Sequence, residues 1–200
     1  MLAAITAVAV GCTSNNGNST DSTSQNASAT PSISPGSGPR APQPTLTASA
    51  LQPPPQKQYG RPEVVYDPCT WIPDDVIARA GFDASSRNRP GDQIAEITFL
   101  NCRFKSKTRN LSVLSGNATW DEDLKKNSDW SEPLVVNGRE AIWVRDPGLA
   151  DGCAIDLRTK SGIVSILSTL TINGLGQDMK PCDGLLDIAT AIEPTIGKDN

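Results

Sequence analysis

The chain contains no histidine, so the side chains that could perform chemistry are chiefly its carboxylates, hydroxyls, indoles and five cysteines. Histidine is the usual general base at neutral pH, the partner of serine and cysteine nucleophiles, and the commonest nitrogen ligand of metal ions. A nucleophilic serine would need a lysine as its base instead, and residues 63–200 contain no Ser-x-x-Lys motif. The composition therefore excludes most familiar hydrolase mechanisms.

Paired carboxylates are the groups that most resemble catalytic equipment, since two of them about 5 to 9.5 Å apart can hydrolyse a glycoside. Two clusters are present, at residues 74–75 and 121–123. Both have a structural explanation, because acidic side chains stabilise the first turn of a helix. Asp146, Asp151 and Asp156 could approach a calcium ion, but their spacing lacks a regular calcium-binding loop. We therefore expect no catalytic residue, no metal site and no cofactor.

The four tryptophans are the other candidate contact residues. Trp71 lies beside the first predicted helix, Trp120 can pack one helical turn from Leu124, and Trp143 belongs to an alternating strand, so we expect all three in the core. Trp130 lies in a polar loop, and we expect it to be exposed and to contact a ligand or partner. The alternative for Trp130 is core packing.

The N-terminal residues predict export and a lipid anchor. Residues 2–11 are almost all small and apolar, and they are too few to span a bilayer, which needs roughly 20 helical residues. Ala9-Val10-Gly11-Cys12 resembles the lipobox of bacterial lipoproteins, in which the cysteine receives a diacylglycerol and is palmitoylated. This resemblance implies a lipoprotein signal peptide at residues 1–11 and a membrane anchor on Cys12. An ordinary secretory signal is the alternative, and the missing basic residues lead us to expect a precursor that starts further upstream.

Residues 12–62 predict a tether. Ser, Thr, Asn, Gln, Gly, Pro and Ala dominate this segment, which cannot bury enough apolar surface to offset the entropy of ordering. We expect it to be disordered, with a proline-rich second half near polyproline II and an end-to-end distance of roughly 40 Å. Residues 63–200 then form one globular domain.

The domain's four cysteines predict two disulfides. An exported protein meets an oxidising compartment, and a zinc site would favour closer cysteine pairs or histidines. Three connectivities are possible. We favour Cys69–Cys102 with Cys153–Cys182, because these sequential neighbours each join a helix to a strand.

Apolar periodicity predicts an α+β domain with an antiparallel sheet of about six strands. Asn137-Gly138 and residues 159–162 are turn signals for two hairpins. Three helices are expected: one from Pro73 to a stop at Gly81, one from a capping box at Thr119, and a C-terminal one from about Asp183. We expect the helices to pack on one face of the sheet. The strands are expected at residues 100–104, 111–115, 134–136, 141–144, 153–157 and 163–170.

Several features together resemble a family of small actinobacterial lipoproteins of unknown function, carried by mycobacteria, Nocardia and their relatives. They are Asp67-Pro68-Cys69 before a short helix, Cys102 in a strand, Gly152-Cys153 opening another strand, and Cys182 ahead of the last helix. The resemblance covers roughly residues 64–196. It implies a cell-envelope location, disulfides, no assigned activity and a fold similar to lipoprotein domains with a PsbP-like sheet.

These observations lead us to expect a non-enzymatic, membrane-anchored protein that binds an envelope protein or a lipidic or cell-wall ligand. An apolar cavity would favour a lipidic ligand, and a flat apolar patch would favour a protein partner. Two acids converging in a cleft would favour the alternative, a cell-wall glycan hydrolase. With 18 basic against 22 acidic residues the net charge is -4, so we expect no nucleic-acid partner.

Overall fold

The fold of the domain is one antiparallel sheet of eight strands. The computed structural model describes residues 44–57, 59–198 and 200, so the predicted signal peptide and Cys12 lie outside the described residues. The chain divides into two compact units, and every described residue belongs to the unit Pro39–Asn200. The strands are β1 (Asp83–Asn88), β2 (Gln93–Ile94), β3 (Thr98–Lys105), β4 (Arg109–Gly116), β5 (Ser131–Val136), β6 (Arg139–Val144), β7 (Gly152–Arg158) and β8 (Ile163–Leu170).

The order of the strands across the sheet is β1-β3-β4-β8-β7-β6-β5, and β2 also pairs with β3. The two predicted turns form as hairpins. Asn137 and Gly138 have φ values of 51° and 88° and connect β5 to β6, the positive dihedrals that a tight two-residue hairpin turn requires. Residues 159–162 connect β7 to β8, and β7 pairs with β8 along its whole length.

The prediction of about six strands is wrong by two. The additional strands, β1 and β2, extend the β3 side of the sheet. Neither carried an apolar alternation: β1 has the sequence Asp-Ala-Ser-Ser-Arg-Asn, and β2 is two residues long. Edge strands of this kind are held by backbone pairing rather than by a buried face, so periodicity does not reveal them.

The helices are α1 (Pro68–Trp71), α2 (Asp74–Arg79), α3 (Trp120–Lys126), α4 (Ile172–Leu175) and α5 (Leu185–Ile192). They pack on both faces of the sheet, which corrects the prediction of a single covered face. One face is covered by α1, α2 and α5, whose buried residues share a core with Cys102, Phe104 and Ile155. The opposite face carries α3, whose Trp120 packs with Ile142.

Both faces of the central strands are therefore buried. Along β7, Cys153, Ile155 and Leu157 face α5, whereas Ala154 and Asp156 face α3, and all five residues are buried. Sequence alternation indicated the first set as the buried one. The second face is covered because the chain between β4 and β5 folds back as α3.

Two disulfides tie the helical layer to the sheet. Cys69 of α1 bonds Cys102 of β3, and Cys153 of β7 bonds Cys182 in the turn before α5. This is the pairing that the sequence favoured. The last helix begins at Leu185, two residues later than expected, after Gly184 with φ 70°.

The Asp67-Pro68-Cys69 motif organises a buried ion network. The Asp67 carboxylate accepts a hydrogen bond from Cys69 N at 3.2 Å, which caps α1. Both of its oxygens also accept from Arg89 Nη2, at 2.6 and 2.7 Å. Arg89 Nη1 donates to Asp92 at 2.8 Å, and all three side chains are at most 8 % exposed. The motif therefore joins the start of α1 to the loop between β1 and β2.

Part of the segment predicted as tether contacts the domain. Thr45 N donates to Thr70 O at 2.8 Å, Arg89 Nη2 donates to Leu51 O at 2.7 Å, and Gln56 Nε2 donates to Val64 O at 2.9 Å. In residues 44–57 and 59–62 the chain thus follows the domain surface. The prediction of disorder for residues 12–43 falls outside the described residues.

Candidate functional site

A groove between α3 and the sheet, which we call the α3 groove, is the candidate binding site of the described domain. Its volume is about 490 Å³, within the range usual for small-molecule sites. Most of its walls are apolar. The apolar side chains that define it come from β3, β4, β6, β7 and β8: Phe99, Leu114, Val144, Ala154, Ile163 and Leu167.

Strand register aligns the residues of β4, β8 and β7 that face the groove. Leu114 of β4 lies opposite Ser165 of β8, and Ser165 lies opposite Asp156 of β7. Gly116 pairs with Phe99, and a Cβ at Gly116 would collide with the Phe99 ring. The glycine therefore lets this aromatic ring lie against the β4 backbone, where it forms part of the groove wall.

The other wall, α3, is fixed at its N-terminus by charge and capping. Thr119 and Glu122 form the predicted capping box, with Thr119 N donating to Glu122 at 2.8 Å. The Glu122 carboxylate also accepts hydrogen bonds from Arg61 Nη1 and Nη2, at 2.8 and 2.7 Å. This Arg61 contact, with the Thr119 hydrogen bonds, lowers the pKa of Glu122 to about 2. The partner of Glu122 thus lies 61 residues away along the chain.

Two carboxyl groups meet in the wall of the groove, Asp123 from α3 and Asp156 from β7; we call them the acid pair. Each residue is 5 % exposed. Burial, followed by the charge of Asp123, raises the pKa of Asp156 to about 7. Burial also raises the pKa of Asp123.

The acid pair has incomplete hydrogen bonding. Asn127 Nδ2 donates to Asp123 Oδ1 at 3.0 Å, and Ser165 lies opposite Asp156 in the strand register. Among the described residues, Asp123 Oδ2 and Asp156 Oδ1 accept from no donor. A buried polar atom without a partner is costly, so its retention calls for an explanation.

The structure brings together residues that the sequence had placed in separate clusters. Asp123 and Asp156 belonged to the 121–123 and 146–156 groups, and they now face each other; Asp146 lines the same groove. Residues 74–75 lie elsewhere, in ion pairs with Arg87 and Arg79. One sequence signal could have indicated the pair. The strand β7 has apolar residues on both faces, and Asp156 is its one acidic residue.

Trp130, expected to be exposed, is partly buried. It packs against the same core as Trp120 and Ile142, and its Nε1 donates to Asn127 Oδ1 at 3.2 Å. Asn127 in turn contacts Asp123. In this structure Trp130 therefore supports the C-terminal end of α3, next to the groove, and its predicted role as a ligand contact stays a prediction.

Among the described residues, no group of three or more Asp, Glu, Cys or His side chains is arranged to hold a metal ion. None of the helices described is long and apolar enough to cross a bilayer.

Comparison with known proteins identifies one family. A model of a protein of unknown function, DUF3558, matches residues 7–195. No curated protein and no solved structure matches the chain. The expectation of a family of unknown function is thus confirmed in this general form, and the actinobacterial origin, the lipobox and the PsbP-like sheet stay predictions.

Proposed function

The chain belongs to the DUF3558 family of proteins of unknown function, and we propose that it is a non-catalytic binding module of the cell envelope. In this proposal Cys12 anchors the protein to the membrane, and the α3 groove holds a lipidic ligand. The observation that carries the proposal is the groove itself. It is concave, it is lined mainly by apolar side chains of five strands, and it is large enough for an alkyl chain.

The shape of this apolar surface favours a lipidic ligand over a protein partner. A protein interface usually presents a broad apolar patch with an aromatic or arginine anchor. The groove residues Phe99, Leu114 and Leu167 instead face inward, between the sheet and α3, and are partly buried. A narrow ligand can reach them, whereas a second folded surface would first have to displace α3.

The alternative, a glycan hydrolase, draws support from the convergence of Asp123 and Asp156 in a cleft. The burial of the pair speaks against it. Both residues are 5 % exposed, whereas a glycosidase needs its two carboxyl groups open to the sugar ring and to a water. Binding is therefore the better-supported function.

Binding of a neutral apolar probe tests the proposal. We expect N-phenyl-1-naphthylamine to bind the protein saturably, with a fluorescence increase. Leu114→Gln places an amide in the groove wall and should weaken this binding about tenfold, a loss of about 1.4 kcal/mol. Leu186→Gln, on an α5 residue that is 40 % exposed, is the matched control and should leave binding unchanged.

Two results would overturn the proposal. One is the absence of saturable probe binding to the folded protein. The other is equal probe affinity in the Leu114→Gln and Leu186→Gln variants, since a probe that ignores the groove wall binds elsewhere. Thermal unfolding of both variants establishes that each is folded before binding is compared.

A further inference from the structure

The acid pair is unnecessary for a groove that takes a purely hydrocarbon ligand. Burying a carboxyl group without a full set of donors destabilises the domain, and the cost is highest where the surroundings are apolar. Asp123 and Asp156 nevertheless lie 5 % exposed in the wall of the α3 groove, whose lining also contains Leu114 and Ala154. Their presence indicates a polar group on the ligand.

The unpartnered atoms define what that group must supply. Within the described part of the chain, Asp156 Oδ1 and Asp123 Oδ2 are both buried acceptors without a donor. They come from two different elements, β7 and α3, so one ligand group between them could serve both. That group must donate at least two hydrogen bonds. An ammonium carries three donors and no acceptor, and its bonds to carboxylates are short and strong.

The charges around the pair favour a cation over an anion. From α3, Asp123 and Lys126 face the groove, and Glu122 is already paired with Arg61. The chain after β6 adds Asp146, and β7 adds Asp156. The strands β3, β4 and β8 contribute apolar side chains and the Ser165 hydroxyl but no charged group. Acids therefore outnumber the single lysine in the lining, so a carboxylate or phosphate head would be repelled.

We propose that the α3 groove binds a single-chain amphiphile with a primary ammonium head, and that this head lies between Asp123 and Asp156 while the alkyl chain lies along Phe99, Leu114 and Leu167. The inference rests on the proposed function, because it specifies the ligand of the same groove. When the ammonium binds, the proton that Asp156 holds below neutral pH passes to solvent.

Proton release makes binding pH-dependent. Because the pKa of Asp156 is raised to about 7, the free pair holds its proton below neutral pH and loses it above. A cationic head must displace the proton at low pH. The affinity should thus rise by up to about tenfold per pH unit until the pair is ionised, and then level off.

A set of ligands with equal chain length tests the head group. Dodecylamine, dodecanol and dodecanoic acid, each below its critical micelle concentration, compete with N-phenyl-1-naphthylamine for the wild-type chain. We expect dodecylammonium to bind at least about tenfold more tightly than either of the others at about pH 8, and its advantage to shrink at about pH 6. Calorimetry in buffers of different ionisation enthalpy should detect the released proton.

Variants separate recognition from folding. Asp156→Asn should remove the preference for the amine and retain dodecanol binding, whereas Asp187→Asn, on the exposed face of α5, should behave as the wild type. Asp123→Asn provides a second test of the pair should the first variant fold poorly.

The outcomes distinguish the two proposals. Equal or tighter binding of dodecanol or dodecanoate, an amine preference that persists without Asp156, or a pH-independent amine affinity would overturn the ammonium proposal and leave the lipidic groove standing. If the neutral probe and all three dodecyl ligands fail to bind the wild-type chain, the proposed function fails.

Discussion

Replacement of Asp156 by asparagine should make the domain more stable at neutral pH, although it removes a buried charged group. The substitution keeps the size of the side chain and supplies an amide that can donate to Asp123. The pKa of Asp156 rises from 3.8 to about 7 on folding, because burial and then the charge of Asp123 oppose ionisation. The native state therefore retains a proton that the unfolded chain loses above about pH 4.

The sign and size of the effect follow from this proton. Where the native state binds one more proton than the unfolded state, stability falls by about 1.4 kcal/mol for each unit rise in pH. The window runs from the unfolded pKa near 3.8 to the folded pKa of about 7. Over it the wild type should lose roughly 4 kcal/mol at most, and Asp156→Asn should recover about 2 to 4 kcal/mol of this at about pH 8.

The assay is urea unfolding with the disulfides intact, followed by tryptophan fluorescence, at about pH 4, 6 and 8. The two proteins should have similar stability at the lowest pH and diverge as the pH rises. Glu122 acts in the opposite direction and at lower pH, since its pKa is lowered to about 2 by Arg61. Because Glu122 is present in both proteins, the difference between them isolates Asp156. Asp187→Asn serves as control and should follow the wild-type profile.

Parallel stability profiles of the wild type and the Asp156→Asn variant would refute this reasoning. They would mean that Asp156 is ionised in the native state throughout the range, so that its pKa is not raised by folding. The same conclusion would follow if the free energy of unfolding of the wild type and of Asp187→Asn did not fall between about pH 5 and 7.

Two further predictions concern the framework. Arg89→Met should lower the free energy of unfolding by about 3 to 5 kcal/mol, because it leaves two buried carboxylates unpaired. Arg79→Met is the control; it breaks an exposed ion pair and should lower the free energy of unfolding by less than about 1 kcal/mol. Similar losses for the two variants in urea unfolding would contradict the structural role of Arg89. Replacing Cys69 and Cys102 together by serine opens a link of 33 residues and should lower the unfolding free energy by about 4 kcal/mol, and an unchanged unfolding midpoint would contradict it.

Local features of the fold were largely predictable from the sequence. The capping box at Thr119, the hairpin at Asn137-Gly138 and the buried stripe of α5 each depend on residues within one or two turns of each other. Such signals carry their own structural explanation, because the interacting groups are neighbours along the chain. The strands β1 and β2 lacked such a signal and were missed.

The candidate site was predictable only in its parts. Asp123 and Asp156 were both noted as acids, but Asp123 was explained by the helix N-terminus and Asp156 by a weak calcium cluster. Their contact joins residues 33 positions apart through the packing of α3 on the sheet. The partner of Glu122 was missed for the same reason, since Arg61 precedes it by 61 residues.

The sequence by itself determined the absence of histidine, the cysteine framework, the short-range turns and caps, and an N-terminal composition that predicts export and a tether. The tertiary structure decided that α3 covers the second face of the sheet, and with it the groove, the buried acid pair and the partly buried position of Trp130. The physical reason is that propensity and periodicity report which face of an element is apolar, whereas the element that covers that face depends on long-range packing. The groove and its charges exist only where two such elements meet.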